Sequence, residues 1–323
     1  MRFRRRLPVL VGLLLFVAAI AAVVQLRKHA PPEPARLLPG ADGFLYLNFK
    51  LMRFTDIASK LPAVSHEAEY EQFIQATGFQ FERDLQQAAF AIHYAGPGTG
   101  GETRFSEVLV GHISGDKLKA YLRKLAASVD NYRSIDIYNV PLESRTLRVA
   151  ILGVDTVAAS NHPDPLVIRG IVDRSHKLAS PFAGPALLRQ LYKHVPIASL
   201  GWAIFKVDSP PEAGAGSPLG FSGPATIVAS VRYLGAIHFR AEAFTASESA
   251  ARQLTSQANT FLDLFHAAEV SVAGHTPDPD FQRALESLKI EQKKERAVLT
   301  ASIPVELIRK LVAQAPGELS PKK

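Results

Sequence analysis

The chain has 323 residues, 47% of them hydrophobic and 21% charged, which are the proportions of a folded protein and far from those of a disordered one. It has no cysteine, which excludes disulfides, thiolate metal centres, a thiol nucleophile and a lipid-modified N-terminal cysteine. The net charge of +7 does not mark a nucleic-acid binder. Arg2, Arg4, Arg5, Arg6, Arg27 and Lys28 all flank one apolar run, and the remainder of the chain holds 31 basic against 30 acidic side chains.

That run is the first predicted element. Leu7 to Val24 carries no charged or strongly polar side chain. At about 1.5 Å per residue a helix of this length spans roughly 27 Å, close to the thickness of a bilayer core. With its basic flank (1–28) it reads as a signal anchor, contacting lipid through residues 7–26. The core is long for a cleaved signal peptide, although Ala19-Ile20-Ala21 supplies the small-x-small site that cleavage would use. Four arginines precede the run, and one arginine and one lysine follow it. The positive-inside rule therefore puts the N-terminus in the cytoplasm and the body outside a bacterial inner membrane, in a periplasmic or extracellular location. Asn-x-Ser/Thr is absent, in keeping with a bacterial exported chain.

Residues 29–40, with APPEPARLLPG, read as a stiff proline-rich linker. A first α+β half is expected over 41–194. GFLYLNF (43–49) is a predicted strand, LMRFTDIASKL and HEAEYEQFIQAT are predicted helices, and Gly78 closes the second. The strand AAFAIHYAG, the loop GPGTGGETR (96–104), the strand FSEVLVGHI and the helix KLKAYLRKLAASV follow. Three short strands (YRSIDIYNV, LRVAILG, TVAAS) and two helices (PLVIRGIVDRSHKL, PALLRQLYKHV) complete this half.

The second half, 195–316, repeats the scheme. LGWAIFKVD stands where GFLYLNF stood, and a loop (209–223) follows. ATIVASVRYLG and AIHFRAEAFTA form a hairpin around Gly235, and a long helix runs from about Ser247 to Ala268. DFQRALESLK is a helix, KIEQKKER (289–296) a solvated connection, RAVLTASI a strand and VELIRKLVAQ a helix, before a tail at 317–323. The expected fold class is α+β: a transmembrane helix, then two similar halves, each a mostly antiparallel sheet with helices on one face. The anchor, the spacer and the opening LLPGADGFLYLNF resemble exported single-pass bacterial proteins grouped as domains of unknown function. That resemblance carries no catalytic residue over to this chain.

The chemical candidates are few. Ser114 and Lys117 in SGDK have Ser-x-x-Lys spacing, the first element of penicillin-binding enzymes, in which the lysine helps deprotonate the serine. Neither Ser-x-Asn nor Lys-Thr-Gly follows, and about one such pair is expected by chance in a chain of this composition. GHISG (111–115) and GFSGP (220–224) both miss Gly-x-Ser-x-Gly. The turn at Ser114 also recurs: VLVGHISGDKL (108–118) aligns with VLTASIPVEL (298–307) and with AEAFTASESA (241–250), where Thr245 and Glu248 have capping-box spacing. Ser114 is thus expected to cap a helix. His162, Asp164, His275, Asp278 and Asp280 could bind a hard or borderline divalent metal, but Asp164-Pro165 and Asp278-Pro279 each match an N-cap followed by proline, and capping is the favoured reading. His93 and His238 belong to predicted strands, and Trp202 to the core. GPGTGG lacks the Lys-Ser/Thr of a phosphate loop, so no cofactor is expected.

Two functions remain open. One is a membrane-anchored, non-enzymatic module of the cell envelope that binds a protein, polymer or small ligand. The other is an envelope hydrolase or transferase with an unrecognised active site. The environment of Ser114 separates them.

Overall fold

The structure is a computed structural model, and it describes residues 30–55, 66–94, 103–143, 145–176, 184–207, 224–272 and 278–314. The chain enters through α1 (Glu33–Leu37), β1 (Gly43–Asn48) and α2 (Phe49–Arg53). Next come α3 (Ala68–Thr77), α4 (Phe81–Asp84), β2 (Leu85–His93) and β3 (Arg104–Gly111). Glu69 and Glu71 occupy the first turn of α3, where the helix dipole favours acids. Gly78, at φ +73°, ends α3 by donating its N–H to the Ile74 carbonyl. After α5 (Gly115–Leu125) the chain folds into a meander of β4 (Ser128–Tyr132), β5 (Ile135–Leu142), β6 (Arg145–Ile151) and β7 (Thr156–Ser160). Helices α6 (Leu166–His176) and α7 (Ala186–Leu191) follow, the latter running into a single 3-10 turn at Tyr192–His194.

The second half contains β8 (Gly201–Val207), β9 (Ala225–Tyr233), β10 (Ile237–Thr245) and α8 (Glu248–Val272). It ends with α9 (Pro279–Glu286), β11 (Lys289–Lys293), β12 (Arg296–Ile303) and α10 (Val305–Gln314). The described strands form one twelve-stranded sheet in the order β11-β12-β10-β9-β8-β1-β2-β3-β7-β6-β5-β4, antiparallel at every pairing. The fold is therefore α+β, built on a large antiparallel sheet with helices, and the two halves share that sheet through β1 and β8. Within each half three strands pair in sequence, a helix leaves the third, and the final strand returns to lie beside the third.

Helices pack on both faces, not on one. The period-2 alternation of the strands gives the sheet two apolar surfaces, and each must be covered. On the first face Tyr46, Ala89, Val108, Ala158 and Trp202 lie in one transverse row. They pack with Leu38, just after α1, and with Ile168, Ile171 and Leu188 from α6 and α7. On the second face Leu118 and Leu122 of α5 cover Tyr138, Val149 and Val157, and Phe79 covers Leu85 and Ala88. Leu254 of α8 covers Ile227 and Ala297 on the same face of the other half.

Three further expectations change. Residues 30–40 are not an extended linker. Pro34 stands in the first turn of α1, where its fixed φ suits a helix, and Ala35 and Leu38 are buried in the first-face core. YRSIDIYNV is not one strand: Arg133 and Ser134 both adopt positive φ, and this two-residue turn reverses the chain between β4 and β5. KIEQKKER is not only a connection, because Lys289–Lys293 forms β11 and Lys294, at φ 57°, turns the chain into β12. Both β4 and β11 are edge strands, short and polar, which protects the sheet ends from pairing with another chain. The expected anchor at residues 7–26, the loop 209–223 and the tail 317–323 lie outside the described residues. Among the described residues no helix is long and apolar enough to cross a membrane.

Candidate functional site

Ser114 is the N-cap residue of α5, as its spacing predicts, but its hydroxyl makes no capping bond and is exposed to solvent. The helix begins instead through the Ser114 carbonyl, which accepts from the Leu118 N–H at 2.9 Å. Lys117 is also exposed, with its Nζ over Gly78. His112 is engaged elsewhere, at 2.8 Å from the Gln86 amide. Among the described residues nothing holds a base against the serine Oγ, which nucleophilic catalysis requires. At the related turn Thr245 is not a cap either. Its hydroxyl donates to the Ser247 and Glu295 carbonyls, and Ser247 Oγ accepts from the Ala250 N–H to start α8. Topology sharpens the internal comparison: β10–α8 holds the place of β3–α5, whereas β12–α10 holds the place of β7–α6.

The histidine–aspartate candidates are far apart. Asp164 accepts from the Leu166 N–H at 2.8 Å and Asp278 from the Asp280 N–H at 2.8 Å, so both cap helices. Asp164 follows β7, whereas the helix that Asp278 caps packs against β12, and these two strands are seven positions apart in the sheet, on the order of 30 Å. Lys310 bonds Asp278 at 2.8 Å and Asp280 at 2.7 Å, with Arg283 also on Asp280, so cationic side chains already occupy the space a metal would take. His275 lies outside the described residues. Among the described residues no three ligating side chains converge on a metal position.

Three polar features stand out. His93 and His162 meet edge to face, ring centroids 5.2 Å apart, at the end of β2 and just beyond β7. The Asp164 N–H donates to His162 Nδ1, which puts the ring proton of the neutral imidazole on Nε2. Burial holds both rings below the ordinary histidine value, reinforced for His93 by His162 and for His162 by Arg104. In the second half Glu242, in the middle of β10 and 3% exposed, is held by Arg240 through Nε (2.9 Å) and Nη2 (2.6 Å) and by Arg296 Nη1 (2.8 Å). His194 lies 3.8 Å from the same carboxylate, so the turn joining the two halves is tied to the second. This network is closed: each carboxylate oxygen has its donor, and no functional group is left over for a substrate.

Glu107 is different. It stands on the second face of β3, directly between Phe90 of β2 and Ala159 of β7. Along its own strand Phe105 and Leu109 share that face. Glu107 makes no hydrogen bond or ion pair among the described residues, and burial alone pushes its carboxyl up to about 7. Next in the same transverse row come Leu45 of β1 and Ala203 of β8. Both are half-buried and join none of the clusters covered by helices. Among the described residues, Leu45 and Ala203 thus form an apolar strip on the second face between the cluster under α5 and the cluster under α8, with the Glu107 carboxylate beside it. Alternation alone could have marked this residue, since Phe105, Glu107 and Leu109 form a period-2 apolar face with an acid in its middle.

No family model matches the sequence, and no curated protein matches it. Among solved structures, crystal form III of TP0453 is similar at 10% identity with a TM-score of 0.44, covering 88% of this chain and 98% of that one. Crystal form I of TP0453 is similar at 11% identity with a TM-score of 0.43, covering 88% and 97%. A similarity at this level carries no functional information.

Proposed function

We propose that this protein is a membrane-anchored, extracytoplasmic binding module of the cell envelope, and that the strip beside Glu107 is where it takes a small, largely apolar ligand. One observation carries the reading: a carboxylate without a partner among the described residues is kept in apolar surroundings near the centre of the sheet. An unpaired acid there costs stability, so a purely structural role would favour an apolar residue. The anchor reading rests on the apolar run at residues 7–24 and its arginine flank. Ser114, exposed and without a base, gives no support to the hydrolase or transferase alternative.

The two halves, 41–194 and 195–316, read as copies of one unit, and three features support this. A short helix with Pro-Ala at its start precedes the first strand of each, α1 with Pro34-Ala35 in its first turn and α7 with Pro185 as its N-cap and Ala186 as its first residue. Both then form three strands in meander and return the last strand to the third. At the junction Gly43 faces Phe205 while Gly201 faces Leu47, the pattern of a two-fold axis through the Leu45–Ala203 pair. The ligand strip lies over that axis.

The absence of natural cysteine makes the test direct. A single thiol placed by Ala203→Cys in the full chain, held in lipid nanodiscs, is titrated with a charged methanethiosulfonate reagent. Octanol, as a small apolar probe, is expected to slow its modification severalfold while leaving an Asp116→Cys control on exposed α5 unchanged. Equal rates with and without probe would overturn the binding reading. Alkaline carbonate extraction of membranes tests the anchor; release of the full chain into the soluble fraction would overturn it.

A further inference from the structure

We infer that the ligand taken by this strip carries a single protonated amine that pairs with Glu107. The inference rests on the binding reading above and narrows the ligand class. Leu45, Phe90, Phe105 and Ala203 offer an incoming molecule only apolar contact. Across β2 and β7 Glu107 faces Phe90 and Ala159, and along β3 it is flanked by Phe105 and Leu109. No charged side chain among the described residues acts on it, since burial is the one influence on its titration. Among the described residues the strip therefore holds one carboxylate and neither a cation nor a hydrogen-bonding side chain paired with it. A neutral amphiphile leaves that carboxylate unpaired, and an anionic one adds repulsion. A cationic headgroup on a short apolar body satisfies it with a charge-assisted hydrogen bond in a site of low polarity.

The experiment compares octylamine, octanol and octanoate as protectants of the Ala203→Cys thiol in the full chain, at pH 8 and pH 5.5, with and without Glu107→Gln. At pH 8 octylamine is expected to protect at about tenfold lower concentration than octanol, and octanoate less well than either. The preference for the amine should fall to within about twofold at pH 5.5, where Glu107 is protonated, and in the Glu107→Gln chain at both pH values. Octanol matching octylamine at pH 8 would sink the amine inference and leave the binding reading intact. Protection by none of the three would sink both. An amine preference that persists in Glu107→Gln, with Asp116→Cys still unprotected, would assign the pairing to another residue and overturn the role given to Glu107.

Discussion

Two side chains carry the clearest pH signatures. Glu107 has its folded-state pKa raised from the ordinary 4.5 to about 7. Between those values the native state holds a proton that the unfolded chain has released, so stability falls as pH rises from 4.5 to 7 and levels off above 7. The loss is on the order of 3 kcal/mol. Urea unfolding followed through Trp202, the one tryptophan, is expected to show this slope in the natural chain and to lose it in Glu107→Gln. His66 has the opposite sign. Its Nδ1 lies 2.6 Å from Glu71 and its Nε2 2.5 Å from Glu82, and the hydrogen bonds to Glu71 and Glu82 raise its pKa above 6.5. Its contribution is complete below pH 6.5 and is lost as pH rises through the folded-state value. A His66 ring titration followed by NMR should have its midpoint above 6.5. A midpoint at or below that value would show that this clasp between α3 and α4 does not form in solution.

Elements were easiest to read where alternation or helical spacing was uninterrupted. The hairpin around Gly235 falls where expected, because a glycine at φ +82° is a turn residue by its chemistry. The turn between β4 and β5 left no such mark, since Arg133 and Ser134 reach positive φ only because the flanking strands hold them there. Helix α1 is hidden in the sequence for a related reason. Proline-rich composition suggests an extended chain, but a buried socket formed by β2, β3 and α6 makes a five-residue helix worthwhile. Arg174 of α6 seals it by donating to the Leu37 carbonyl at 2.7 Å. Leu38→Ala removes a side chain that is 1% exposed, and should cost about 2–4 kcal/mol in urea unfolding. If Leu38 belonged to a solvated spacer, the same substitution would change stability by less than about 0.5 kcal/mol.

At the scale of the whole molecule, β1 and β8 are the seam, and its register is set by small residues opposite large ones. A Cβ on Gly201 would meet Leu47 Cδ2 at 3.0 Å and the Tyr46 carbonyl at 3.1 Å, and a Cβ on Gly43 would meet Phe205 Cβ at 3.2 Å. Gly201→Ala is therefore expected to destabilise the chain by about 1–3 kcal/mol. Gly40→Ala, where nothing lies within 4 Å, should be close to neutral. Equal effects at the two positions would mean that the seam is not closely packed. Stacking of Tyr46 on Trp202 across the same seam, ring centroids 5.5 Å apart, makes tryptophan emission a local reporter of its opening.

The sequence by itself determined the composition class, most strands and helices, the α+β architecture and the capping roles of Asp164 and Asp278. These follow from local chemistry: side-chain period, proline geometry and carboxylates beside free N–H groups. Only the tertiary structure decided that the halves share one sheet, that helices cover both faces, that residues 33–37 fill a core socket, and that Glu107 has no partner among the described residues. Each of these depends on which strands become neighbours. Pairings such as Ser106 with Ser160 or Tyr46 with Trp202 join positions 54 and 156 residues apart, and no local pattern encodes such a choice. Glu107 shows the division most clearly. Its place in an apolar alternation was readable from the chain, whereas its isolation became visible only once Phe90 and Ala159 stood on either side of it.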